Sequence, residues 1–312
     1  MNAVCVLGSI NMDLVLSVEY MPKIGETVHA NFLKKIPGGK GANQAVAARR
    51  LDCEVIMLGC VGNDENGKIL LENLEKDGVI TKYIKIDHAV PSGTALIMVD
   101  KSGNNTIAIY AGANNSLTCD DVILNRRLIE TSKILIAQFE TPIEPTKVAF
   151  KIAKENGVLT ILNPAPAREI PEELLKYCDI IIPNEIEAER ITGITPNNNE
   201  AMIEIGEYFE NKGVRFVILT LGNRGAAVIG KGKLNRIEAF PVEVVDTTAA
   251  GDSFVGGIAR YLLNKEGLSF ENLLRAAVFA NKVAALTVMK EGAQSSLPYL
   301  KEVIDKFGEE EL

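Results

Sequence analysis

Residues 246–254 read D-T-T-A-A-G-D-S-F and stand directly before a stretch with helical character. Threonine, alanine and glycine leave the backbone accessible, so N–H groups here can close around an anion where the helix begins. Asp252 would then lie beside that anion, which is an unfavourable position for a carboxylate unless it has a proton to accept. The alternative is that Asp252 only caps a helix that begins near Ser253.

A second cluster, G-G-K-G-A-N-Q-A at residues 38–45, also precedes a helix of small residues. Its glycines allow close backbone approach, and Lys40 and Asn43 can donate hydrogen bonds. Asn11 and Asp13, in S-I-N-M-D, add an amide and a carboxylate. Such a mixture of donors and acceptors suits a polyhydroxylated ligand. The alternative is a glycine turn that enters a helix, with Asn43 on the surface.

The elements that must position these clusters alternate regularly along the chain. Short β-branched runs are predicted to be strands at residues 4–7, 55–58, 134–137, 159–162, 180–183 and 216–220. Helical stretches are predicted between them at residues 42–51, 68–76, 143–155, 186–191 and 201–211. Because the runs are apolar on both faces, the pattern predicts a doubly wound α/β fold with a mostly parallel central sheet. Ligands should bind at the carboxyl ends of its strands.

Two stretches interrupt this alternation, at residues 14–35 and 94–110, and the second contains the turn-forming D-K-S-G-N-N. We expect them to form hairpins of one small β lid, hinged near Gly38, Gly39, Gly93 and Gly112. The predicted core is residues 1–13, 37–91 and 113–312, and the predicted lid is residues 14–36 and 92–112. Since a thin apolar β layer leaves one face uncovered, we expect a homodimer through the lids.

Composition narrows the class of protein. The 312 residues are 47% hydrophobic and 24% charged, which suits one large soluble domain or a domain with an appendage. A net charge of -8 without a basic block excludes nucleic acid and an anionic membrane as partners. Five dispersed cysteines and only two histidines indicate reduced thiols and leave little from which to build a zinc site. With no leader pattern and no long apolar run, we expect a cytoplasmic protein.

The sequence does not support two common nucleotide-binding motifs, the phosphate-binding loop and the G-x-G-x-x-G turn. Residues 62–69, G-N-D-E-N-G-K-I, have the spacing of a phosphate-binding loop, but Ile69 replaces the Ser or Thr that would hold magnesium. Asp64 and Glu65 would also face the phosphates, so we predict a plain helix amino end with acids placed favourably against its dipole. No strand leads into G-x-G-x-x-G, the turn of dinucleotide oxidoreductases.

The motifs together resemble those of the ribokinase-like carbohydrate kinase family, of the phosphofructokinase-B type, over nearly the whole chain. The resemblance rests on S-I-N-M-D at Ser9, the Gly38 cluster, A-G-A-N at Ala111, N-P-A-P-A-R at Asn163, P-N-E-I-E at Pro183, T-L-G-N-R-G at Thr220 and the Asp246 segment. One position departs from the family pattern, since Asp52 stands where Gly or Ser is expected. Aspartate can also adopt the left-handed conformation that this turn would need.

The resemblance implies transfer of phosphate from ATP to the 5-hydroxyl of D-ribose. It makes Asp252 the catalytic base and assigns the anion hole to Ala249, Ala250 and Gly251. Another sugar or nucleoside, such as 2-deoxyribose or fructose, is an alternative substrate. A non-catalytic sugar or nucleotide sensor is a further alternative, although such a protein should have lost Asp252 or the small-residue segment.

The resemblance also assigns ligand-binding residues. The sugar would contact Asn11, Met12, Asp13, Gly39, Lys40, Gly41, Ala42, Asn43, Glu140 and Asp252. ATP would contact Asn184, Glu187, Thr220, Leu221, Gly222, Asn223, Arg224, Gly225, Gly251, Asp252 and Asn281, with Asn184 and Glu187 steering Mg²⁺ through water. Taken alone, Glu140 could cap a helix, the Asn184 turn could be an exposed acidic first turn, and Thr220 could begin an ordinary strand-ending turn.

A monovalent cation, K⁺, is implied beside the anion hole. The matching positions are Asp246, Thr248, Thr287, Lys290, Gly292 and Ser296, which would act mostly through backbone oxygens. Only Asp246 offers a formal negative charge, which suits a weakly held monovalent ion better than Mg²⁺. The alternative is that Asp246 accepts hydrogen bonds from amides of its own loop.

Overall fold

The computed structural model describes residues 2–308. The first residue and the last four residues of the predicted core therefore lie outside the described residues. The strands are β1 (Ala3–Leu7), β2 (Asn11–Val18), β3 (Ala30–Gly38), β4 (Glu54–Leu58), β5 (Cys60–Gly62), β6 (Lys85–Asp87), β7 (Gly93–Val99), β8 (Asn105–Tyr110), β9 (Ile134–Ala137), β10 (Leu159–Leu162), β11 (Ile180–Ile181), β12 (Phe216–Thr220), β13 (Ala226–Gly230) and β14 (Lys233–Ile237). The helices are α1 (Lys40–Arg50), α2 (Glu65–Lys76), α3 (Cys119–Leu124), α4 (Arg126–Thr131), α5 (Ile143–Glu155), α6 (Glu172–Lys176), α7 (Glu185–Thr192), α8 (Asn199–Glu210), α9 (Ala250–Leu263), α10 (Phe270–Thr287) and α11 (Leu300–Phe307).

Within the described residues, the main sheet has eight strands in the order β14-β13-β12-β11-β10-β9-β1-β4. The six strands from β12 to β4 are parallel; at one edge β13 pairs antiparallel with β12, and β14 pairs antiparallel with β13. Side chains of β1 alternate between two cores: Val4 and Val6 face the core that includes α1, α9 and α10, whereas Cys5 and Leu7 face the core that includes α5 and α8. The predicted doubly wound α/β fold is confirmed.

The sequence pattern missed the antiparallel edge of this sheet. Strand β14, K-L-N-R-I, is largely exposed, so it lacks the apolar run that revealed the buried parallel strands. The pair β5 and β6 was also missed because each strand has only three residues. Strand β11 ends at Ile181 rather than at residue 183, and α1 begins two residues before the expected start.

A separate four-stranded sheet has the order β3-β2-β7-β8 and is built from two antiparallel hairpins joined by the parallel pair β2 and β7. Strand β2 begins at Asn11, three residues before the expected start, and Asn11 pairs with Gly38 and Gly93. A Cβ atom on Gly93 would lie 2.3 Å from the side-chain oxygen of Asn11. The strand that carries Asn11 and Asp13 is therefore continuous with this sheet.

Two local predictions are confirmed. Asp52 adopts the left-handed conformation with φ of 64°, so aspartate fulfils the conformational role expected at this turn. Asp64 is the N-cap of α2 and accepts the N–H of Gly67 at 2.7 Å and that of Ser92 at 2.8 Å. Its carboxylate thus stabilises a plain helix amino end, as expected for a segment that is not a phosphate-binding loop.

The cysteines are free thiols, and most of them are buried. Cys5, Cys53, Cys60 and Cys178 are buried free cysteines, and Cys119 is partly exposed. Burial raises the pKa of Cys5 to about 12, so this thiol stays protonated at neutral pH. Between residues 2 and 308, no helix has the length and apolar character needed to cross a lipid bilayer.

Candidate active site

The amino end of α9 carries the small-residue segment. Ala249, the residue before the helix, adopts the left-handed conformation with φ of 59°. The N–H of Ala250 donates to the carbonyl of Thr247 at 3.3 Å, whereas the N–H groups of Gly251 and Asp252 have no acceptor in the part of the chain that the structure describes. Free N–H groups at the positive end of a helix dipole attract anions. Two of these amides are therefore available to a ligand.

The carboxylate of Asp252 does not cap α9. Its two oxygens accept hydrogen bonds from the side-chain amides of Asn43, at 2.9 Å, and Gln44, at 3.0 Å. Burial raises the pKa of Asp252, and the Lys40 ammonium and the two amides oppose that rise without cancelling it. The helix-cap alternative is therefore wrong, and two residues of α1 hold the carboxylate in a fixed orientation.

A cavity of about 200 Å³ lies at the carboxyl ends of the parallel strands, where ligands of such sheets bind. We refer to it as the carboxyl-end cavity. It brings together residues that are far apart in the chain. Among those that line it are Lys40, Asn163, Asn184, Glu187, Thr220, Thr247, Ala249, Gly251 and Asp252.

Lys40 is surrounded by four carboxylates, those of Asp252, Glu140, Glu187 and Asp13. Burial alone would lower the pKa of Lys40, but the carboxylates outweigh burial and raise it above its ordinary value. The ammonium is therefore charged at neutral pH. Its charge allows several acidic groups to share a buried space and provides a cation for an anionic ligand.

Glu140 follows β9 and lies against the amino end of α1. One of its oxygens accepts hydrogen bonds from the Ser9 hydroxyl at 2.6 Å and the backbone N–H of Lys40 at 3.1 Å. The side-chain amide of Asn11 lies 3.4 Å from the same oxygen. Glu140 thus binds the first turn of a distant helix, rather than the helix that follows it, and ties the glycine cluster to β2.

Gly39 makes this close approach possible. It adopts φ of 90°, and a Cβ atom there would lie 2.7 Å from the backbone nitrogen of Asn11. Asp13, further along β2, pairs with Ile36, and its carboxylate lies against Gly38, where a Cβ atom would lie 2.2 Å from one of its oxygens. Burial raises the pKa of Asp13 to about 7, with further increases from Glu140 and Asp252 and an opposing effect from Lys40. The ionisation of Asp13 therefore changes near neutral pH.

Three other residues predicted to contact the sugar are buried in the protein. Met12 and Ala42 belong to the hydrophobic core, and a Cβ atom on Gly41 would lie 2.6 Å from the backbone of Gly8. Any contact of these residues with a ligand would have to come from the backbone. Their packing holds the glycine cluster against β1.

Asn184 and Glu187 form a capping box at the start of α7. The Asn184 side chain accepts the N–H of Glu187 at 2.8 Å, and the Glu187 carboxylate accepts the N–H of Asn184 at 2.9 Å. Both residues also line the carboxyl-end cavity. Burial raises the pKa of Glu187, and the Asn184 N–H and the Lys40 charge oppose this effect. The pair is both a helix cap and a source of oxygen atoms facing the cavity.

A second cavity, of about 370 Å³, adjoins the first at Thr247 and is mostly apolar. Asn281 lines it, and the Asn281 side chain donates to the carbonyl of Glu238 at 3.2 Å. Gly222 and Asn223 also line it, whereas Leu221 is buried and Arg224 forms an ion pair with Glu185. Gly225 faces a neighbouring strand, since a Cβ atom there would lie 2.0 Å from the Ile237 carbonyl oxygen.

Asp246 connects two loops near the start of α9. Its carboxylate accepts the N–H and hydroxyl of Thr248, at 2.9 and 2.7 Å, and the N–H of Gly292 at 2.9 Å. Partial burial would raise the pKa of Asp246, but these hydrogen bonds outweigh burial and lower it. The hydroxyls of Thr287 and Ser296 donate to backbone carbonyls, and Lys290 pairs with Glu302.

Comparison with known proteins identifies the family. Residues 1–300 match the description "pfkB family carbohydrate kinase". The chain belongs to this family. It is 43% identical to a ribokinase of Staphylococcus aureus over 97% of this chain and 98% of the relative. It is also 35% identical to a deoxyribokinase of Salmonella typhi, over 96% of each chain.

A solved structure supports the same assignment for this carbohydrate kinase. The structure of Arabidopsis thaliana ribokinase complexed with ribose and ATP is similar, with a TM-score of 0.89 and 32% sequence identity over 97% of each chain. The similarity covers both the main sheet and the four-stranded sheet because it extends over nearly the full length.

Sequence reasoning missed several residues that support the site of this carbohydrate kinase. Gln44 donates to Asp252 and to Asn163 and accepts a hydrogen bond from Gln138 at 2.6 Å. Gln44 and Asn163 lie within the G-G-K-G-A-N-Q-A and N-P-A-P-A-R motifs, but no local pattern gives either side chain a role. Nothing in the local sequence around Gln138 indicates its role, because the contact joins residues 94 positions apart.

Asn114, from the A-G-A-N motif, was also missed as a supporting residue. It is fully buried, accepts the N–H of Ile10 at 2.9 Å and donates to the side-chain oxygen of Asn11 at 2.7 Å. It also donates to the carbonyl of Ala111 at 3.0 Å. Asn114 therefore joins the end of β8 to the beginning of β2, where the two sheets meet.

Proposed function

We propose that this carbohydrate kinase transfers the terminal phosphoryl group of ATP to the 5-hydroxyl of D-ribose, which gives ribose 5-phosphate and ADP. The observation that carries the proposal is the position of Asp252, a buried carboxylate beside free N–H groups in a cavity that also contains Lys40. The similarity to a ribokinase, and to the structure of a ribokinase complexed with ribose and ATP, supports the choice of substrates.

In the proposed reaction, Asp252 orients the sugar hydroxyl and accepts its proton as the bond to phosphorus forms. A carboxylate is a weak base, so the proton moves once that bond is well advanced. The hydrogen bonds from Asn43 and Gln44 support this role because they direct both oxygens of Asp252. Held in this orientation, the base needs little rearrangement in the transition state.

The anion hole of the proposed mechanism uses the amino end of α9. The N–H groups of Gly251 and Asp252 would stabilise charge on the phosphoryl oxygens, with Lys40 as the neighbouring cation. Ala249 contributes its left-handed conformation, which turns the chain into the helix. Ala250 would contribute only if its 3.3 Å bond to Thr247 opened, and the length of that bond makes this a small change.

The sugar would be held by Asn11, Asp13, Lys40, Asn43 and Glu140. Their carboxylate, amide and ammonium groups offer donors and acceptors that match adjacent hydroxyls. The backbone of the buried glycine cluster and Met12 would complete this side of the site. The lid residues 14–36 and 92–112 would exclude water when they cover it.

The nucleotide would place its base in the apolar second cavity and its phosphates toward the carboxyl-end cavity. The two cavities share Thr247, which supports a single elongated ligand across both. Asn281, Gly222 and Asn223 line the base end, and Thr220 lines the phosphate end. Leu221, Arg224 and Gly225 would support this segment from behind.

Magnesium and potassium belong to the proposal as metal ions bound with the substrates. Asn184 and Glu187 present oxygen atoms to the phosphate end, and oxygen is the donor that Mg²⁺ prefers. They would hold Mg²⁺ through water, and the ion would neutralise charge on the phosphates of ATP. Asp246, which has a lowered pKa, supports a K⁺ site with Thr248, Thr287, Lys290, Gly292 and Ser296 acting through carbonyl oxygens.

The lids are proposed to pair in a cytoplasmic homodimer. Every residue of β8 is exposed, and the four-stranded sheet carries exposed apolar side chains at Phe32, Leu33, Leu96, Ile107, Ile109 and Tyr110. A patch of this kind favours a covering partner. Light scattering should give the mass of two chains, and the Ile107→Lys/Ile109→Lys variant should give one; a monomeric wild-type protein would contradict the dimer.

An ATP-consumption assay over pentoses, hexoses and nucleosides tests the substrate. Ribose should give the highest kcat/KM, and NMR should place the phosphate on the 5-oxygen. If the 2-hydroxyl is bound by the site, 2-deoxyribose should react about 10⁴-fold less efficiently. Equal activity with 2-deoxyribose would favour the deoxyribokinase alternative, and no ADP release with any sugar would favour a sensor.

Replacing K⁺ with Na⁺ in the same assay should lower the rate of ribose phosphorylation. An unchanged rate would contradict the proposed potassium site.

A further inference from the structure

A cavity of about 450 Å³ lies at the amino ends of the parallel strands, on the side of the main sheet opposite to the proposed reaction. Its walls include Lys133 and Ile134 at the start of β9, Leu159 at the start of β10, and Leu262 at the end of α9. A strand of four or five residues separates the two edges by about 15 Å. The cavity is therefore distinct from the carboxyl-end cavity. We call it the basic cavity because most of the charged residues that line it are cationic.

The charges around the basic cavity are strongly biased. Four of its lining residues are cationic, namely Lys133, Lys154, Arg215 and Lys265, and one is acidic, Asp179. The lining thus has a net charge of +3 from four cations and one anion, whereas the whole chain has a net charge of -8. A concave surface with one sign of charge concentrates ions of the opposite sign.

Asp179 fixes two of these cations. Its side chain is 4% exposed, and one oxygen lies 2.5 Å from the Lys154 ammonium and 3.1 Å from the Arg215 guanidinium. The other oxygen accepts the N–H of Thr160 at 3.1 Å and lies 3.2 Å from the Thr160 hydroxyl. A buried carboxylate therefore holds Lys154 and Arg215 in defined positions, so they are ordered before a ligand arrives.

The remaining two cations have no acidic partner within residues 2–308. Lys133 is exposed at the rim, and the Lys265 ammonium lies 4.6 Å from the centre of the Tyr261 ring. Lys154 and Arg215 share a single carboxylate, so that pair also keeps an excess positive charge. Together the lining groups leave three positive charges without a partner, which favours a multiply charged anion.

The rest of the wall is apolar and contains open backbone. Val158, Leu159, Leu262, Leu263 and Leu268 line it beside Gly157 and Gly267. The cavity is within the range of roughly 300–1,000 Å³ that is usual for small-molecule sites. Such a wall suits an anion that has a carbon portion as well as a charged group.

We propose that the basic cavity is a second ligand site that binds a small molecule with a dianionic phosphate group, of the phosphate monoester class. Lys154 and Arg215 contact the phosphate from the position set by Asp179, and Lys133 and Lys265 close over it from the rim. Arginine and lysine bind phosphate oxygens by charge-assisted hydrogen bonds. The site does not depend on the identity of the sugar or on the proposed reaction.

Direct binding tests the proposal with glycerol 3-phosphate and inorganic phosphate as probes, measured by calorimetry on the wild-type protein at pH 8. The Lys133→Gln/Lys265→Gln variant removes one exposed and one partly exposed charge and should weaken binding of glycerol 3-phosphate at least 10-fold. The control variant Lys301→Gln/Lys306→Gln removes the same charge from exposed positions of α11 and should retain wild-type affinity. Phosphate bound at the amino end of α9, in the proposed anion hole, would be unaffected by either pair of substitutions, so the loss identifies binding in the basic cavity.

The outcomes are distinguishable. A 10-fold or larger loss confined to the Lys133/Lys265 pair supports the site, and tighter binding of the monoester than of inorganic phosphate supports a contribution from the apolar wall. Equal loss in both double variants, or none in either, overturns the proposal. If both probes bind equally, the cavity recognises the phosphate group alone and the monoester assignment is wrong. Circular dichroism on each variant verifies that folding is unchanged.

Discussion

The two edges of the main sheet have opposite charge patterns. At the carboxyl ends of the strands, one lysine, Lys40, lies among four carboxylates. At the amino ends, one carboxylate, Asp179, lies among four cationic residues of the basic cavity. The two edges of one sheet thus carry cavities in which the ratio of cationic to acidic residues is reversed.

The difference between the edges is also a difference in response to pH. At the carboxyl-end cavity, burial raises the pKa values of Asp13, Glu187 and Asp252, and the pKa of Asp13 reaches about 7. Lysine and arginine carry their charge throughout the neutral range, so a surface built from them is a constant electrostatic site. The first edge is suited to proton transfer, and the second is suited to anion binding.

Asp252→Asn should have the largest effect. Loss of the proton acceptor should reduce kcat about 10³-fold, while calorimetry should show ribose affinity within a few-fold of the wild type. Asp120→Asn, in the exposed first turn of α3, is the matched control and should leave kcat unchanged. If Asp252→Asn retained normal turnover, the role of Asp252 as base would be refuted.

Gln44→Leu should have the next largest effect. It removes one donor to Asp252 at similar side-chain volume and should lower kcat about 10–100-fold, because hydrogen bonds to charged groups contribute about 1.5–3 kcal/mol. The lost bond should also raise the pKa of Asp252, so the acidic limb of the kcat profile should move to higher pH. A purely structural role would reduce thermal stability but leave the pH profile in place.

Protonation of Asp13 should have a smaller effect, which should appear in the pH dependence of kcat/KM for ribose. Since the pKa of Asp13 is raised to about 7, the ionised form that accepts hydroxyl hydrogen bonds predominates only above neutral pH. Below that pKa, kcat/KM for ribose should fall about 10-fold per pH unit. Steady-state assays from pH 5.5 to 8.5 measure this, and Asp13→Asn should lack the inflection near pH 7. An inflection that persists in Asp13→Asn would assign it to another group.

The raised pKa of Asp13 also makes the free energy of unfolding depend on pH. Between pH of about 4 and about 7, the folded protein holds a proton on Asp13 that the unfolded chain has released. The free energy of unfolding should therefore decrease as pH rises through this window and change no further from this group above about pH 7. Urea denaturation of wild type and Asp13→Asn compares the two slopes.

Thr160→Val, at the other edge, should have the smallest effect on catalysis. It removes a buried hydroxyl that donates to the Tyr177 carbonyl at 2.7 Å and accepts the N–H of Asp179 at 2.8 Å. The free energy of unfolding should fall by about 1–3 kcal/mol, with kcat unchanged within about twofold. A large loss of kcat would show that the two edges are coupled, and the contrast between them would have to be revised.

Much of the fold could be inferred from local patterns. The parallel strands are continuous apolar runs, and the turns before α1 and α9 have small residues whose backbone freedom is visible in the sequence. The exposed edge strand β14 could not be recognised, because pairing with β13 rather than its own composition makes it a strand. Likewise, the Asn184 and Glu187 pair was recognised by motif, but its capping box depends on backbone geometry at α7.

The candidate site was predictable in its parts but not in its connections. The positions of Asp252 and Lys40 follow from their motifs, whereas the bond from Gln44 to Asp252 joins residues 208 positions apart. Pairing across such distances depends on the register of whole elements, which local patterns do not contain.

The amino-acid sequence alone is enough to specify an α/β sheet and to mark the small-residue turns, because periodicity and side-chain size act over a few neighbouring residues. Only the folded chain brings Lys40 among its carboxylates and Asp179 among its cations. The physical reason is that electrostatic effects depend on distances and burial in space, and these arise when strand order and helix packing bring distant segments together.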